Sequence, residues 1–562
     1  MAGAFPARAA LGRGVGHSPE IEFDRVCWLG QDGGVIWGRR GSGVQRSAVG
    51  EGGSLGVVRV AVDGAAAGRW DALNHLVETL LEVDAAGDEV VARSALTLVT
   101  GVGGLVARLD RHARRAPWYG PYQEPALQRV GARFSAATSG PVAMALASMH
   151  GDGRIRERAV AAMVGRPCPE VMPFLVLRTA EWAKPVRDRA RAGLALLLAD
   201  DPDGCLSAVL PMALRLDARR RGGFAVTQIR AALLSAPAEV WRELLGSGGR
   251  RQRRFVFDIV VAQGWLRLPD LVTCAETDSD VGIRVRAAEA ACREAVWTRR
   301  PDVLRRLARS VRAEVRVVAL TGLVRVGLDG DVAAYLDDDA PLVRAVARDA
   351  ARRLGIGARE HYRTAVSAGE PALGAIVGLA ETGSAADAPL LGPLLSHPQS
   401  KVRAQAVRAL RLLDAVVAEE LLSLLRDPSP AVVREVTAAL RPLAGVLPPG
   451  LPWELLGEGR VELRRAGYRL LSGNGVDVQL RAALMLTIDP DRRLAERGKA
   501  DVTRLARDGA RTTWRRTPPP ELPITVAQHG ELAALAAQAA AALGEGTSRM
   551  LTTWLARTCP GG

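Results

Sequence analysis

Lysine is nearly absent. Of the 75 basic residues in this chain of 562, only Lys184, Lys401 and Lys499 are lysines, and none ends a G-x-x-x-x-G-K-S/T run, which excludes phosphate-loop nucleotide hydrolysis. Aromatics are scarce at 4% of residues, so an all-β sandwich is disfavoured; alanine, leucine, valine and arginine dominate, a helical composition. The six cysteines, at 27, 168, 205, 274, 292 and 559, form no C-x-x-C pair. No H-E-x-x-H run or Cys/His cluster has metal-ligand spacing, so no metal or other cofactor is expected. The N-terminus has no uninterrupted apolar segment of the secretory kind, and a reducing cytoplasm fits best. No run of 18 apolar residues occurs; the longest candidate, LAALAAQAAAALG from Leu532 to Gly544, is too short to span a membrane and contains Gln538. GGSLG, Gly52 to Gly56, matches the nucleophile-elbow pattern in letters. The apolar VVRV after it stands where that motif needs a helix, which argues against a catalytic Ser54.

What is abundant is positive charge. The formal net charge is +14, a surplus that draws phosphate-bearing or acidic partners. Arginine in place of lysine is also the skew of a GC-rich genome, which discounts the total. Its distribution says more: lysine plus arginine minus aspartate plus glutamate is +7 over 136–300, zero over 301–400 and +6 over 401–562. Arg219, Arg220 and Arg221, and Arg250, Arg251, Arg253 and Arg254, carry much of the first excess.

The second abundance is repetition. An arginine preceded by an apolar residue opens a small-residue-rich helical run in AKPVRDRARAGLALL, GIRVRAAEAAC, AEVRVVALTGL, PLVRAVARDAARRL, KVRAQAVRALRLL, VVREVTAALRPL and ELRRAGYRLL. The arginines are 187, 286, 316, 344, 403, 434 and 464; from Arg286 the gaps are 30, 28, 59, 31 and 30, with the degenerate unit EPALGAIVGLAETG inside the double gap. Upstream of each lies a leucine-rich partner such as APLLGPLLSHP or AEELLSLLRDP, read as a short amphipathic helix. A helix pair every thirty residues predicts an all-α solenoid of stacked antiparallel pairs sharing a continuous core. Three residues after the arginine stand Ala190, Ala319, Ala347, Ala406 or Gly467, small enough for neighbouring helices to approach closely; Glu289 and Thr437 depart from this. The pattern resembles HEAT-like repeats, in particular the short variety of phycobilin-lyase-type proteins, over roughly 140–475.

Six residues before the arginine an acid often stands: Glu181 before Arg187, Asp280 before Arg286, Asp338 before Arg344 and Glu458 before Arg464. The spacing predicts side-chain ion pairs between turn and helix, stacked into a ladder, and the resemblance implies such Asp-Arg ladders too. Ser310, His397 and the Asp427 that lies seven before Arg434 predict breaks at Arg316, Arg403 and Arg434. The repeated arginine is therefore read as architecture.

Four regions follow. Residues 1–69 are a glycine- and arginine-rich flexible leader, with a hairpin over RVCWLGQDGGVIWG as the alternative; 70–139 form a helical cap with an aromatic loop carrying Trp118, Tyr119 and Tyr122. The array runs over 140–475, and 476–562 is a helical C-terminal region. If Asp491 to Arg516 is one helix, Arg493, Arg497, Arg504, Arg507, Arg511 and Arg515 line up as a basic stripe, though Gly498 and Gly509 weaken that reading. The leading functional expectation is a non-enzymatic scaffold or adaptor that binds another protein through a concave face built from the second helices; a small-molecule ligand is not expected. The alternative is a nucleic-acid-binding solenoid using the stripe and the two arginine clusters. A HEAT-like lyase or DNA glycosylase using Trp182 with Glu181 and Asp188 stands third.

Overall fold

The computed structural model describes residues 25–29, 35–39, 53–68, 70–115, 130–131, 134–509 and 524–558. It divides into two compact units, Met1–Val318 and Ala319–Gly562, each built of antiparallel helix pairs. In the first unit the pairs are Pro141–Ala147 with Gly153–Gly165, Met172–Arg178 with Lys184–Asp200, Pro202–Leu216 with Gly223–Ser235, Ala238–Ser247 with Arg250–Ala262, and Leu268–Thr277 with Val281–Trp297. In the second unit the second helices are Pro341–Arg353, Leu373–Thr382, Ser400–Leu412, Pro430–Leu440, Val461–Leu471 and Arg492–Gly509. Within each unit these are the stacked antiparallel α-helix pairs that the spacing predicts. The degenerate segment is the helix Leu373–Thr382, so the double gap hides a complete pair.

Each pair is too small to bury its apolar side alone, and the core is correspondingly continuous. In the second unit one cluster runs from Leu336 through Ala347, Ala406, Val436 and Ala466 to Leu470. The small positions lie where helices cross: Ala190, Ala319, Ala347 and Ala406 are fully buried. At Gly467 a Cβ would lie 2.4 Å from the Pro452 carbonyl oxygen and 2.6 Å from the Leu456 nitrogen, so only glycine permits this crossing.

Several expectations need correcting. APLLGPLLSHP is two 3₁₀ turns, Ala385–Leu390 and Gly392–Ser396, because Pro389 and Pro393 withdraw amide donors that an α-helix would use. AEELLSLLRDP divides similarly into the short helix Ala418–Leu421 and the 3₁₀ turn Ser423–Arg426. The pair Val476–Thr487 and Arg492–Gly509 carries the repeat past residue 475. At the other end the leader is not featureless: Arg25–Leu29 and Val35–Arg39 pair antiparallel, the hairpin alternative, with its turn outside the described residues. A helix, Ser54–Ala66, starts before residue 69 and follows Ser54 directly, so a helix stands where none was expected. Trp118, Tyr119 and Tyr122 lie outside the described residues. Among those residues no single helix is long and apolar enough to cross a membrane.

Replacing Gly467 by alanine is expected to lower unfolding free energy by about 1–3 kcal/mol, the cost of overpacking a close helix crossing. Urea denaturation monitored by circular dichroism reads this; an unchanged midpoint would contradict the packing described.

Candidate functional site

At Arg187, Arg344, Arg403 and Arg464 the repeated arginine makes the same pair of backbone bonds. Its Nη1 donates to two backbone carbonyls at the end of the first helix of its own pair, six and five residues back. Arg187 reaches the Glu181 and Trp182 oxygens at 3.0 Å each; Arg344 reaches those of Asp338 at 2.7 Å and Asp339 at 2.9 Å. Arg403 reaches His397 at 2.8 Å and Pro398 at 2.9 Å, and Arg464 reaches Glu458 at 3.1 Å and Gly459 at 2.6 Å. These carbonyls have no intrahelical partner because the helix has ended, so the guanidinium acts as a C-terminal cap.

The other edge of the guanidinium turns to the following pair. Arg403 grips Asp427 through Nε at 2.8 Å and Nη2 at 2.9 Å; Arg464 grips Asp489 at 2.7 and 3.0 Å. Arg344 binds both oxygens of Glu381 and is 1% exposed. In the first unit Arg284 binds Glu314 through Nε at 2.9 Å, Arg254 binds Asp280 at 2.7 and 2.9 Å, and Arg253 binds Asp278 at 2.7 Å. Fork-to-carboxylate geometry of this kind is among the stronger side-chain interactions, and here it is mostly shielded from water.

The turn residue therefore serves both of its neighbours. Asp278 does so in full: its carbonyl receives Arg284 of its own pair at 2.8 Å and its carboxylate receives Arg253 of the preceding pair at 2.7 Å. Turn side chains also accept the amide two residues on: Asp278 from Asp280 at 2.7 Å, Asp427 from Ser429 at 2.8 Å, Asp489 from Asp491 at 2.7 Å, His397 through Nδ1 from Gln399 at 3.1 Å. Where the side chain is a carboxylate, it also receives the arginine of the preceding pair. The expected ladder exists, but it is offset by one repeat. Arg187, Arg344 and Arg464 touch the carbonyls of Glu181, Asp338 and Glu458, not their carboxylates.

Three further corrections follow from this offset. Arg286 does not belong to the ladder: it pairs with Asp258 at 2.8 Å on a half-exposed surface, and Arg284 takes the inner position, donating to the Asp278 and Ser279 oxygens. The small residue three after Arg284 is Ala287, fully buried, which removes the exception at Glu289. His397 does not break the ladder at Arg403, since a carbonyl is all that Arg403 needs from it. The real break is at Val433, which occupies the arginine position six after Asp427. Arg434 turns to Glu435, and Arg460 of the next pair reaches back to the Pro428 oxygen at 3.1 Å.

Of the residues suggested for a glycosylase, Glu181 is buried and held by Arg178 at 2.7 Å, while Trp182 is exposed above Arg156, so the two do not share an open surface. Arg178 also binds Asp110.

The basic stripe fares differently. Arg492–Gly509 is one helix, and both glycines that argued against it are crossing points. A Cβ at Gly498 would lie 2.6 Å from the Thr487 nitrogen, and one at Gly509 would lie 2.1 Å from the Trp554 ring. Arg493, Arg497, Arg504 and Arg507 are all exposed on one face. Asp501 holds Arg497 at 2.7 Å and Arg504 at 3.5 Å and accepts the Tyr468 hydroxyl at 2.7 Å, so two of the four cations are already committed. Arg511 and Arg515 lie outside the described residues.

Burial works against ionisation of these carboxylates: at Asp278 it prevails and pushes the carboxyl up despite Arg253, whereas at Asp427, Glu381, Glu314 and Asp280 the guanidinium and amide bonds outweigh it. Asp427 and Glu381 titrate below their ordinary values, held down by Arg403 and by Arg344 and Arg348. Asp387, nearly inaccessible, is held at about 2: burial raises it, while the Ser384 amide, Arg359 and Arg363 lower it further. Among the described residues no group of three His, Cys, Asp or Glu side chains could hold a metal ion.

No family model and no curated protein matches the chain. Among solved structures it is similar to an engineered protein, at 16% identity over 76% of this chain and 98% of that one, with a TM-score of 0.20. It is also similar to importin beta, at 12% identity over 89% and 68% with a TM-score of 0.27, and to a mutant of Kap121p, at 11% over 90% and 68% with a TM-score of 0.26. Superpositions this loose carry no argument about function, and the fold stands on the helix pairs themselves.

Replacing Arg284 by methionine is expected to cost about 2–4 kcal/mol of stability, because two carbonyls and a carboxylate lose a buried partner. Replacing Arg286, on the same helix but exposed, should cost under about 1 kcal/mol. The reverse order in urea titrations would contradict the offset ladder.

Carboxylates with a folded pKa below the unfolded value of about 3.9 stabilise the fold above about pH 4, and that contribution is lost as pH falls toward 2. The urea midpoint is thus expected to drop steeply over that window, and Asp387→Asn to flatten the drop. An equally steep fall in the variant would count against Asp387.

Proposed function

We propose that the chain is a non-enzymatic repeat scaffold or adaptor whose partner is another protein, bound on the surface lined by the second helices. The observation that carries this reading is the division of labour within each pair. The recurring residues, arginine at the clamp and alanine or glycine at the crossing, are turned inward and committed to the stack. The exposed residues of the second helices differ from repeat to repeat, as in Arg189 of the first unit, Glu289 and Arg293 of another pair, and Arg408 and Arg411 of the second unit. A surface that varies over a constant interior is how a repeat stack acquires a partner without changing its fold.

Large apolar side chains left in water give the surface its anchors. Trp297 is 89% exposed at the end of its helix and Trp182 is 69% exposed in its turn. Tryptophan is the residue type that most often dominates binding energy at protein interfaces. Cytoplasmic location and the absence of catalysis are parts of the same proposal.

The test is affinity capture from the host with mass spectrometry, with and without nuclease, comparing the wild-type chain with Trp297→Ser and Trp182→Ser. The expected result is a protein partner that survives nuclease and is depleted at least tenfold by one of the two exposed-tryptophan variants, whose thermal midpoints match wild type. Loss of every partner on nuclease treatment, or capture indifferent to both substitutions, would overturn the reading.

A further inference from the structure

The first unit brings together two arginine clusters that lie thirty residues apart in sequence. The helix Pro202–Leu216 ends in a turn folded back on itself: the Arg219 amide donates to the Leu216 oxygen and the Gly222 amide to the Arg219 oxygen, both at 2.8 Å. A Cβ at Gly222 would sit 1.6 Å from the Leu216 oxygen, so glycine is required for this reversal. The turn leaves Arg219, Arg220 and Arg221 exposed in succession. Beside it begins the helix Arg250–Ala262, whose exposed Arg251 extends Nη2 toward the Leu214 oxygen at 3.4 Å. Arg250, next to it, is 64% exposed and lies 3.4 Å from Asp280.

The clamp separates working cations from spare ones. Arg253 and Arg254 are committed to Asp278 and Asp280. Arg219, Arg220, Arg221 and Arg251 have no acidic partner among the described residues, and neither of the two second helices that start here carries an acid in its first turn. The acid of the loop is Asp217, whose carboxylate faces Gly223.

We infer that this surface binds the sugar-phosphate backbone of double-stranded nucleic acid, independently of the protein partner proposed above. Arginine forks match phosphate oxygens in pairs, and four to five of them on one small surface give the electrostatic footprint of backbone contact. The neighbouring aromatics decide between duplex and single strand. Phe224 and Phe255 lie under the guanidinium groups of Arg191 and Arg230, and Trp241 is buried and stacked on Trp265. Among the described residues beside the patch these rings are already covered by an arginine or a second ring, whereas single-strand binding needs an open face for an unpaired base. Contact is then to phosphate alone, sequence-independent, and strongest where charge is densest, along a duplex. A lipid surface is disfavoured because none of the most exposed large apolar residues falls within the 217–223 turn or the 250–255 segment.

The experiment is fluorescence anisotropy of a labelled 30-base-pair DNA of arbitrary sequence against the full chain, between 50 and 200 mM salt. Four phosphate contacts predict a log–log salt slope near −3.6, hence a loss of affinity on the order of 100-fold across that range. The variant R219A/R220A/R221A/R251A should remove most of that slope and weaken binding at least tenfold at 50 mM salt. R219Q/R220Q/R221Q, which leaves the Arg251 to Leu214 bond in place, should show about three-quarters of the effect with an unchanged thermal midpoint. Arg493→Ala/Arg507→Ala should bind as wild type does. Absence of duplex binding at 50 mM salt, triple and quadruple variants that bind like wild type, or tighter binding to single strands would each overturn the inference. So would displacement of the duplex by polyglutamate at equal charge, or retention by anionic vesicles in its place.

Discussion

Everything else in this protein depends on one side chain making two kinds of contact at once. A guanidinium offers five N–H donors in a rigid plane, and here one edge satisfies the carbonyls left over where a helix stops while the other holds the carboxylate of the next turn. A lysine could serve one of these acceptor sets but not both, which gives the skew toward arginine a structural use in addition to its origin in base composition. Because Asp278, Asp427 and Asp489 also accept the amide two residues on, one bond network fixes the reversal and the spacing to the neighbouring pair while the arginine caps the helix end. Apolar packing supplies most of the stabilisation, but it is non-directional; the clamp sets the register in which that packing occurs.

The variations support this account. Where the clamp position is Val433, a different arginine, Arg460, comes back from the next pair to the same group of carbonyls. Where the usual turn aspartate is missing, the partner is found elsewhere on the following pair: Glu381 at the end of its helix serves Arg344, and Glu314 at the start of its helix serves Arg284. The acceptors recur even where the donor or the spacing changes, as expected if unpaired buried carbonyls are the costly alternative.

Most of the architecture was legible in the sequence because a thirty-residue period, small crossing residues and paired helices are written in residue type. The offset of the ladder was not. An arginine six residues after an acid looks like an ion pair, yet the same six residues place it against that residue's backbone carbonyl, which every amino acid carries. The signal that would have found the true partner is the distance forward, 24 residues from Arg403 to Asp427 and 25 from Arg464 to Asp489. Arg284 and Arg286 could not be ranked by pattern, since both follow an apolar residue and only burial separates them. Gly498 and Gly509 read as helix breakers because propensity does not know where a neighbouring backbone or a tryptophan ring will pass. The surface arginines were legible as clusters, but which of them are spent on Asp278 and Asp280 and which are spare needed coordinates.

The most direct test of the clamp is a double-mutant cycle between Arg403 and Asp427, substituting methionine and leucine singly and together and measuring unfolding free energy in urea. The account predicts a coupling energy of about 1–3 kcal/mol, with each single variant more destabilising than half of the double. A coupling indistinguishable from zero would mean that the pairs stack by apolar contact alone and that the arginine is incidental.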